Sequence, residues 1–272
     1  MKQQYDDHPI GMFDSGFGGL TVARALIDLL PDEDVVYLGD QERYPYGPRS
    51  LEEVRGFARQ ITELLVGEHG VKLVVVACNT AAAAALDLLR AESPVPVLGV
   101  IEPGVRALVR ATASGRVAVI GTVGTIASGA YQKAVADTGA DVELTCAACP
   151  GFVEFVERGD MRSEQVHVLA ERLLAPVVAA GVDALLLGCT HYPYLARTIS
   201  DVVGRDVTLV SSADETAFEV RTLLGGDGPA LPASSGGAVT HRFLSSGDPD
   251  RFVELGYRLL GPELGSAERV TW

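Results

Sequence analysis

The stretch Leu73-Val-Val-Val-Ala-Cys78-Asn-Thr80 joins an apolar run to a cysteine, an amide and a hydroxyl. Because every position of the run is apolar, it predicts a strand of a parallel sheet that is buried under helices on both faces. Comparable short runs alternate with longer segments of helical periodicity, which is typical of the α/β class. The predicted strands span residues 10–13, 35–38, 73–77, 97–100, 117–120, 184–187 and 207–210.

The combination of a buried strand and a terminal cysteine occurs a second time, in Ala184-Leu-Leu-Leu-Gly-Cys189-Thr-His191. In each half of the chain an earlier strand runs into a loop rich in glycine and hydroxyl side chains, one starting at Asp14 and the other at Gly121. Asp14 precedes Cys78 by 64 positions and Gly121 precedes Cys189 by 68, so the strand order can be the same in both halves. Chance similarity between two units of one ordinary sheet is the alternative.

We predict an α/β protein with two pseudo-symmetric lobes, each a mainly parallel sheet flanked by helices, and with the active site between them. The first lobe comprises residues 1–100 and 213–272, and the second comprises residues 101–212. A strand ends close to each of these crossover points, which is why the boundaries are placed there.

Local signals add detail to the first lobe. Ser50 and Glu53 form the pattern of a capping box, which predicts a helix from Ser50 to about residue 69. The Gly, Pro and Ser residues of 225–237 predict an exposed loop. A strand near 239–244 and a helix from about Asp248 are expected to return the chain to the first lobe.

Composition narrows the class of protein. The chain has 272 residues, 47% of them hydrophobic and 21% charged, which is enough to bury a full core. Its net charge of -14 and the lack of a Lys/Arg cluster argue against a nucleic-acid partner, because phosphate binding needs a basic surface. No apolar run reaches the ~18 residues of a membrane span, and residues 1–10 lack the apolar core of a secretory signal. We therefore expect a cytoplasmic protein that acts on a small molecule.

Four cysteines in a chain of this length favour reduced thiols, because disulfide frameworks are typical of small secreted domains. Cys78 and Cys189 follow predicted strands, and ligands of open α/β sheets bind outside the carboxyl ends of the strands. Each precedes amide or hydroxyl side chains at a predicted helix N-terminus, where free N–H groups and the helix dipole bind carboxylates. If the lobes face each other, the two sulfurs approach one cleft from opposite sides.

Two opposed thiols suit the inversion of an α-carbon, because one proton must leave one face while another arrives at the opposite face. A thiol, with a reference pKa of about 8.5, exchanges between base and acid forms near neutral pH. One sulfur must start ionised and the other protonated. Asp14 is the expected neighbour of Cys78, and His191 and Glu157 are expected to support Cys189. The pattern indicates an amino-acid racemase that needs no cofactor.

Five motifs recur in the order in which they occur in a known family: Asp14-Ser-Gly-Phe-Gly-Gly-Leu-Thr-Val22, Gly39-Asp-Gln-Glu-Arg-Tyr-Pro-Tyr-Gly-Pro-Arg-Ser50, Cys78-Asn-Thr-Ala81, Gly99-Val-Ile-Glu-Pro-Gly104 and Gly188-Cys-Thr-His-Tyr-Pro193. Together they span nearly the whole chain, which resembles the glutamate racemases, a bacterial branch of the aspartate/glutamate racemase family. The resemblance implies two pseudo-symmetric lobes, interconversion of L- and D-glutamate, and supply of D-glutamate for peptidoglycan. It also implies a homodimer as a common assembly.

Carried over by position, the resemblance implies that Cys78 and Cys189 are the catalytic acid and base. It implies that Asp14, His191 and Glu157 assist them. The implied substrate-binding residues are Asp14, Ser15, Tyr46, Gly47, Asn79, Thr80, Thr190 and His191. Neither a metal ion nor a cofactor is expected.

Several of these residues also have purely structural explanations. Asp14 can cap the following helix, Tyr46 can belong to a rigid turn, and His191 can cap or pack. Glu157 can lie on a solvated helix face. The sequence Cys146-Ala-Ala-Cys149 suggests redox or metal chemistry, but it lacks a second pair of metal ligands.

Three other functions stay open at the level of sequence. A pyridoxal-phosphate racemase needs a Schiff-base lysine, and Lys2, Lys72 and Lys133 all lie away from the predicted cleft. A two-lobed amino-acid sensor would bind its ligand without converting it, which leaves the two cysteines unexplained. A racemase for aspartate or another acidic compound has the same chemistry and differs in pocket size.

Overall fold

The computed structural model describes residues 7–225 and 239–272. Apart from Gly225, the loop predicted over residues 225–237 lies outside the described residues. Within the described ranges the strands are β1 Ile10–Asp14, β2 Val35–Gly39, β3 Leu73–Val76, β4 Val97–Gly99, β5 Arg116–Gly121, β6 Glu143–Ala148, β7 Ala184–Gly188, β8 Thr208–Val210, β9 His241–Ser245 and β10 Glu268–Arg269.

The helices fill the connections between strands. Ser50 begins one of them with the predicted capping box: its side chain accepts from the N–H of Glu53, and the Glu53 carboxylate accepts from the N–H of Ser50. The α-helices are α1 Leu20–Leu29, α2 Leu51–Gly67, α3 Asn79–Glu92, α4 Ile101–Ala111, α5 Val123–Ala127, α6 Ala130–Asp137, α7 Phe152–Glu157, α8 Glu164–Ala180, α9 Ala196–Val203, α10 Ala213–Leu223 and α11 Pro249–Leu260. Short 3₁₀ helices span Tyr192–Leu195 and Gly261–Glu263.

The strands form two sheets in which every described pair is parallel. The first sheet has the order β10-β9-β2-β1-β3-β4, and the second has the order β6-β5-β7-β8. The succession β2-β1-β3-β4 repeats as β6-β5-β7-β8, so the common strand order expected from the sequence is confirmed. The predicted α/β class, with two mainly parallel sheets flanked by helices, is confirmed as well.

The sequence patterns did not predict two of the strands. β6 lies at the edge of the second sheet, and Ala147 is its one buried residue. β10 is two residues long, and both of its residues are exposed at the edge of the first sheet. An edge strand is covered less completely than a central one, so it does not require the continuous apolar run on which the prediction relied.

After residue 238 the chain rejoins the first sheet, because β9 pairs with β2 and β10 pairs with β9. The division of the chain at residues 100 and 212 stays a prediction. None of the described helices is both long enough and apolar enough to span a lipid bilayer.

The central strands determine where the strand ends meet. β1 and β3 are adjacent and buried at every residue. Asp14 and Cys78 therefore lie side by side at the carboxyl ends of these two strands. β5 and β7 are adjacent in the second sheet, which places the loop after Gly121 beside Cys189 in the same way.

Candidate active site

The strand ends of the two sheets meet at one cleft. Cys78 lines it from the first sheet and Cys189 from the second. Asp14 and Glu157 are not among the described residues that line the cleft. Asp14 is hydrogen-bonded to Thr190 and Glu157 to His191, and both of these partners line it. The other residues that the sequence predicts for the site also line it, namely Ser15, Tyr46, Gly47, Asn79, Thr80, Thr190 and His191.

Cys78 occupies the N-cap position of α3, and its Sγ lies 3.9 Å from Oγ of Ser15. Burial, followed by the negative charge of Asp14, raises the pKa of the Cys78 thiol to about 12. A backbone hydrogen bond from Ala81 acts in the opposite direction and is weaker. Cys78 is therefore a protonated thiol at neutral pH.

His191 gives Cys189 a different environment. Its Nδ1 lies 4.0 Å from the Cys189 Sγ, and its Nε2 lies 3.1 Å from Oε1 of Glu157. Burial lowers the pKa of His191, but the hydrogen bonds to Cys189 and Glu157 and the nearby negative charges together raise it to about 10. The ring is therefore positively charged at neutral pH, and it lies beside the sulfur of Cys189.

The structure corrects one expectation about Cys189. The sequence predicts that both cysteines precede a helix N-terminus, and this is right for Cys78, which begins α3. Cys189 is instead followed by the 3₁₀ helix Tyr192–Leu195, whose second residue is Pro193, and α9 begins only at Ala196. Because so short a turn has little dipole, the positive charge beside Cys189 comes from His191.

Asp14 connects the two lobes. It has no exposed surface, its Oδ1 accepts from the N–H of Gly16 at 2.9 Å, and its Oδ2 accepts from the hydroxyl of Thr190 at 3.2 Å. Burial raises the pKa of its carboxyl above the ordinary value, and the positive charge of His191 and these hydrogen bonds offset only part of that shift. The negative charge of Asp14 in turn raises the pKa of Cys78 and contributes to the raised pKa of His191.

Gly18 shows how closely the lobes approach each other. A Cβ atom at this position would lie 2.5 Å from Nδ1 of His191 and 2.5 Å from Oγ1 of Thr190. Only glycine leaves room for this contact, so the loop after β1 packs directly against the residues that follow Cys189. Sequence reasoning missed this role because the partners of Gly18 belong to the other half of the chain.

Tyr46 is held by a buried carboxylate that sequence reasoning also missed. Its hydroxyl donates to Oδ2 of Asp40, a residue with no exposed surface. The Asp40 carboxylate also accepts from Nε of Arg43 at 2.7 Å and from Oγ of Ser246 at 2.8 Å. This network anchors the segment that carries Gly47 over the cleft. The sequence signal that could have identified Asp40 is its position directly after β2.

Three threonine hydroxyl groups, one from α3 and two from the start of α5, contact one another beside the cleft. Thr80 Oγ1 lies 3.1 Å from Oγ1 of both Thr122 and Thr125, which lie 2.9 Å from each other. Beside them the N–H of Gly124 donates to the carbonyl oxygen of Gly47 at 3.2 Å. The signal for Thr122 and Thr125 was the Gly/Thr-rich loop after β5.

Cys146 and Cys149 of the Cys146-Ala-Ala-Cys149 segment are both free cysteines. Cys149 lines the cleft, and Cys146 lies on β6. Burial raises the pKa of the Cys146 thiol to about 11 and that of Cys149 to about 12, so both stay protonated, and protonated thiols are poor nucleophiles. In residues 7–225 and 239–272, no group of three or more His, Cys, Asp or Glu side chains is arranged to hold a metal ion.

Replacing Glu157 with glutamine is expected to lower the pKa of His191 by about one unit or more, because a negative charge in contact with the ring is removed. In the native protein this pKa is raised to about 10, so the ring loses its proton only in alkaline solution. In Glu157→Gln it should lose the proton at lower pH. The measurement is an NMR titration of the His191 ring.

Glu171→Gln is the matched control, because it removes an exposed carboxylate 3.6 Å from the exposed ring of His167. That change should leave the titration of His191 where it is. An identical His191 midpoint in the native protein and in Glu157→Gln would show that Glu157 does not hold the charge of the ring.

Known proteins resemble this chain both in sequence and in overall structure. A sequence model of the family described as Asp/Glu/Hydantoin racemase matches residues 19–220. The glutamate racemase of Acidothermus cellulolyticus is 52% identical over 257 residues, which are 94% of this chain and 97% of that protein. The crystal structure of a glutamate racemase isoform from Bacillus anthracis has a TM-score of 0.90 at 42% identity and covers 97% of each chain. That of the Francisella tularensis glutamate racemase in complex with D-glutamate has a TM-score of 0.89 at 32% identity and covers 97% of this chain and 98% of that chain.

These similarities extend over nearly the full length of the chain and confirm the resemblance drawn from the five motifs. The chain belongs to the Asp/Glu/Hydantoin racemase family.

Proposed function

We propose that the protein is an isomerase that interconverts L-glutamate and D-glutamate, with Cys78 and Cys189 as opposed acid and base and without a cofactor. The observation that carries the proposal is that both sulfurs line one cleft, each at the end of a central strand of its own sheet. The substrate is supported by the relatives, which are glutamate racemases over nearly the full length of this chain.

The different environments of the two sulfurs support different roles at the start of a turnover. In the proposed scheme Cys189 is the base that removes the α-proton from one enantiomer, and Nδ1 of the positively charged His191 ring lies 4.0 Å from its sulfur. Cys78, whose pKa is raised to about 12, starts as the thiol and gives its proton to the opposite face of the α-carbon. One turnover leaves a thiol at Cys189 and a thiolate at Cys78, and the same steps in reverse convert the other enantiomer.

The groups around the cleft match those of glutamate. The free N–H groups at the start of α3, beside Asn79 and Thr80, and the hydroxyl of Thr190 suit the two carboxylates. Ser15 suits the α-ammonium, with the carboxylate of Asp14 behind it. The segment with Tyr46 and Gly47 covers the site, so that the reacting groups are held in place.

Other functions are less well supported. Of the described lysines, Lys72 bonds to Glu33 and Lys133 pairs with Asp137 on an exposed helix face, and neither lines the cleft, which does not favour a pyridoxal-phosphate enzyme. A sensor would leave the two thiols without a purpose. An aspartate racemase is separated from a glutamate racemase by assay.

Because the relatives are bacterial glutamate racemases, we further propose that the D-glutamate supplies peptidoglycan synthesis in the cytoplasm. The homodimer implied by the resemblance stays a prediction. Light scattering combined with size-exclusion chromatography tests it.

The function is tested by incubating the purified protein in deuterated water with L-glutamate or with L-aspartate, without added cofactor. We expect D-glutamate whose α-carbon carries solvent deuterium, because the proton that is delivered comes from a second thiol rather than from the substrate. Mass spectrometry of the separated enantiomers is the measurement. Conversion of aspartate alone would show that glutamate is not the substrate. D-Glutamate that retains the substrate hydrogen would indicate that one base serves both faces of the α-carbon.

A further inference from the structure

We propose that Tyr131 is a positioning residue for the racemisation proposed above: its hydroxyl fixes the orientation of the Asn79 amide and contacts the strand end that carries Cys189. This inference rests on the proposed function. Tyr131 lies in the first turn of α6, has no exposed surface, and is absent from the described residues that line the cleft. It therefore acts on the reaction only through its neighbours.

The first neighbour is Asn79, the residue directly after Cys78. Its Nδ2 donates to the Tyr131 hydroxyl at 2.8 Å, across the boundary between the two sheets' helices. Asn79 is 3% exposed and lines the cleft. Among the described residues nothing donates to its buried Oδ1. Because the hydroxyl occupies the amide nitrogen, the oxygen is the atom left to accept a hydrogen bond from a ligand in the cleft, such as an ammonium group.

The second neighbour is Gly188, the residue directly before Cys189. A Cβ atom at Gly188 would lie 2.9 Å from the Tyr131 hydroxyl and 2.6 Å from the carbonyl oxygen of Ile120. The phenol oxygen thus packs against the backbone of β7 at its last residue. One atom therefore contacts the residue next to each of the two thiols, and it limits how far the two strand ends can shift relative to each other.

Tyr131→Phe removes this atom and keeps the ring. The Asn79 amide then loses the partner that holds its orientation, so we expect KM for glutamate to rise and kcat to fall, each by about tenfold. A purely structural role predicts a smaller fraction of folded enzyme with an unchanged KM. Thermal unfolding, measured in parallel, gives the folded fraction.

A double-mutant cycle shows whether the effect passes through Asn79. In the Asn79→Ala background the amide is absent, so Tyr131→Phe should add little further loss. Tyr37→Phe is the matched control, because it removes a buried hydroxyl that donates to the carbonyl oxygen of Gly16 at 3.0 Å and does not bond to Asn79. Its effect should multiply with that of Asn79→Ala.

Replacement of Tyr131 by 4-aminophenylalanine decides the matter if Tyr131→Phe does not fold. The aromatic amine fills the same space and donates well, but it accepts poorly, so the Asn79 amide should turn its oxygen towards the amine and its nitrogen into the cleft. We expect KM to rise by about tenfold in a folded protein. A KM equal to that of the native enzyme would overturn the inference, as would full multiplicativity of Tyr131→Phe with Asn79→Ala. If the native protein itself fails to racemise glutamate, it is the proposed function that fails.

Discussion

Replacing either Cys78 or Cys189 with alanine is expected to lower kcat for the interconversion of L- and D-glutamate by about a thousandfold or more. Each thiol serves one face of the α-carbon, so each is needed as base in one direction and as acid in the other. The loss of either one therefore stops both directions. Circular dichroism of glutamate, followed from each pure enantiomer, measures the two rates.

Cys146→Ala is the control for the loss of a thiol. Cys146 lies on β6 and is not among the described residues that line the cleft, so most of the activity should persist. Exchange of the α-proton with deuterated water adds a second readout. Cys78→Ala keeps Cys189 beside His191 and should still exchange the proton of one enantiomer without inversion. Substantial racemisation by either of the two active-site variants would refute the two-base scheme.

Asp14→Asn is expected to lower kcat by about a hundredfold and to change its pH dependence. Asn has one acceptor oxygen where the carboxylate has two, so either the N–H of Gly16 or the hydroxyl of Thr190 loses its acceptor. The negative charge of Asp14 raises the pKa of both Cys78 and His191. Both pKa values should therefore fall in the variant, and the alkaline limb of the pH profile should move to lower pH.

The measurement is kcat and kcat/KM against pH in both directions of the reaction. Asp28→Asn is the control, because Asp28 is an exposed residue of α1 that pairs with Arg24 at 3.1 Å. It should leave the rate and the profile unchanged. A folded Asp14→Asn enzyme with the native pH profile would show that Asp14 does not set the charge state of the site.

The strands show how far local pattern extends. The apolar runs predicted β1, β2 and β3 to within one residue at each end, because central parallel strands must be apolar on both faces. β6 was missed for the same reason, since an edge strand can keep polar and half-exposed side chains. The capping box before α2 was right because both of its partners lie within one turn of helix.

For the candidate site, too, local motifs identified some residues and missed those whose role depends on distant parts of the chain. The motifs that carry the family resemblance contain most of the residues predicted for the site, because each motif is contiguous in the sequence. Gly18, Asp40 and Tyr131 were missed, since the function of each depends on a residue far away in sequence. The environment of Cys189 was partly wrong, because a 3₁₀ turn follows it where a helix N-terminus was expected.

By itself the sequence determined the α/β class and the placing of a cysteine after one apolar strand in each half, because both follow from local periodicity and spacing. Only the tertiary structure decided that the two sulfurs line one cleft and that their surroundings differ. Burial and the charge of Asp14 raise the pKa of the Cys78 thiol, whereas the contacts with Cys189 and Glu157 raise the pKa of His191 against the effect of burial. Those pKa shifts depend on burial and on distances between residues that only packing brings together.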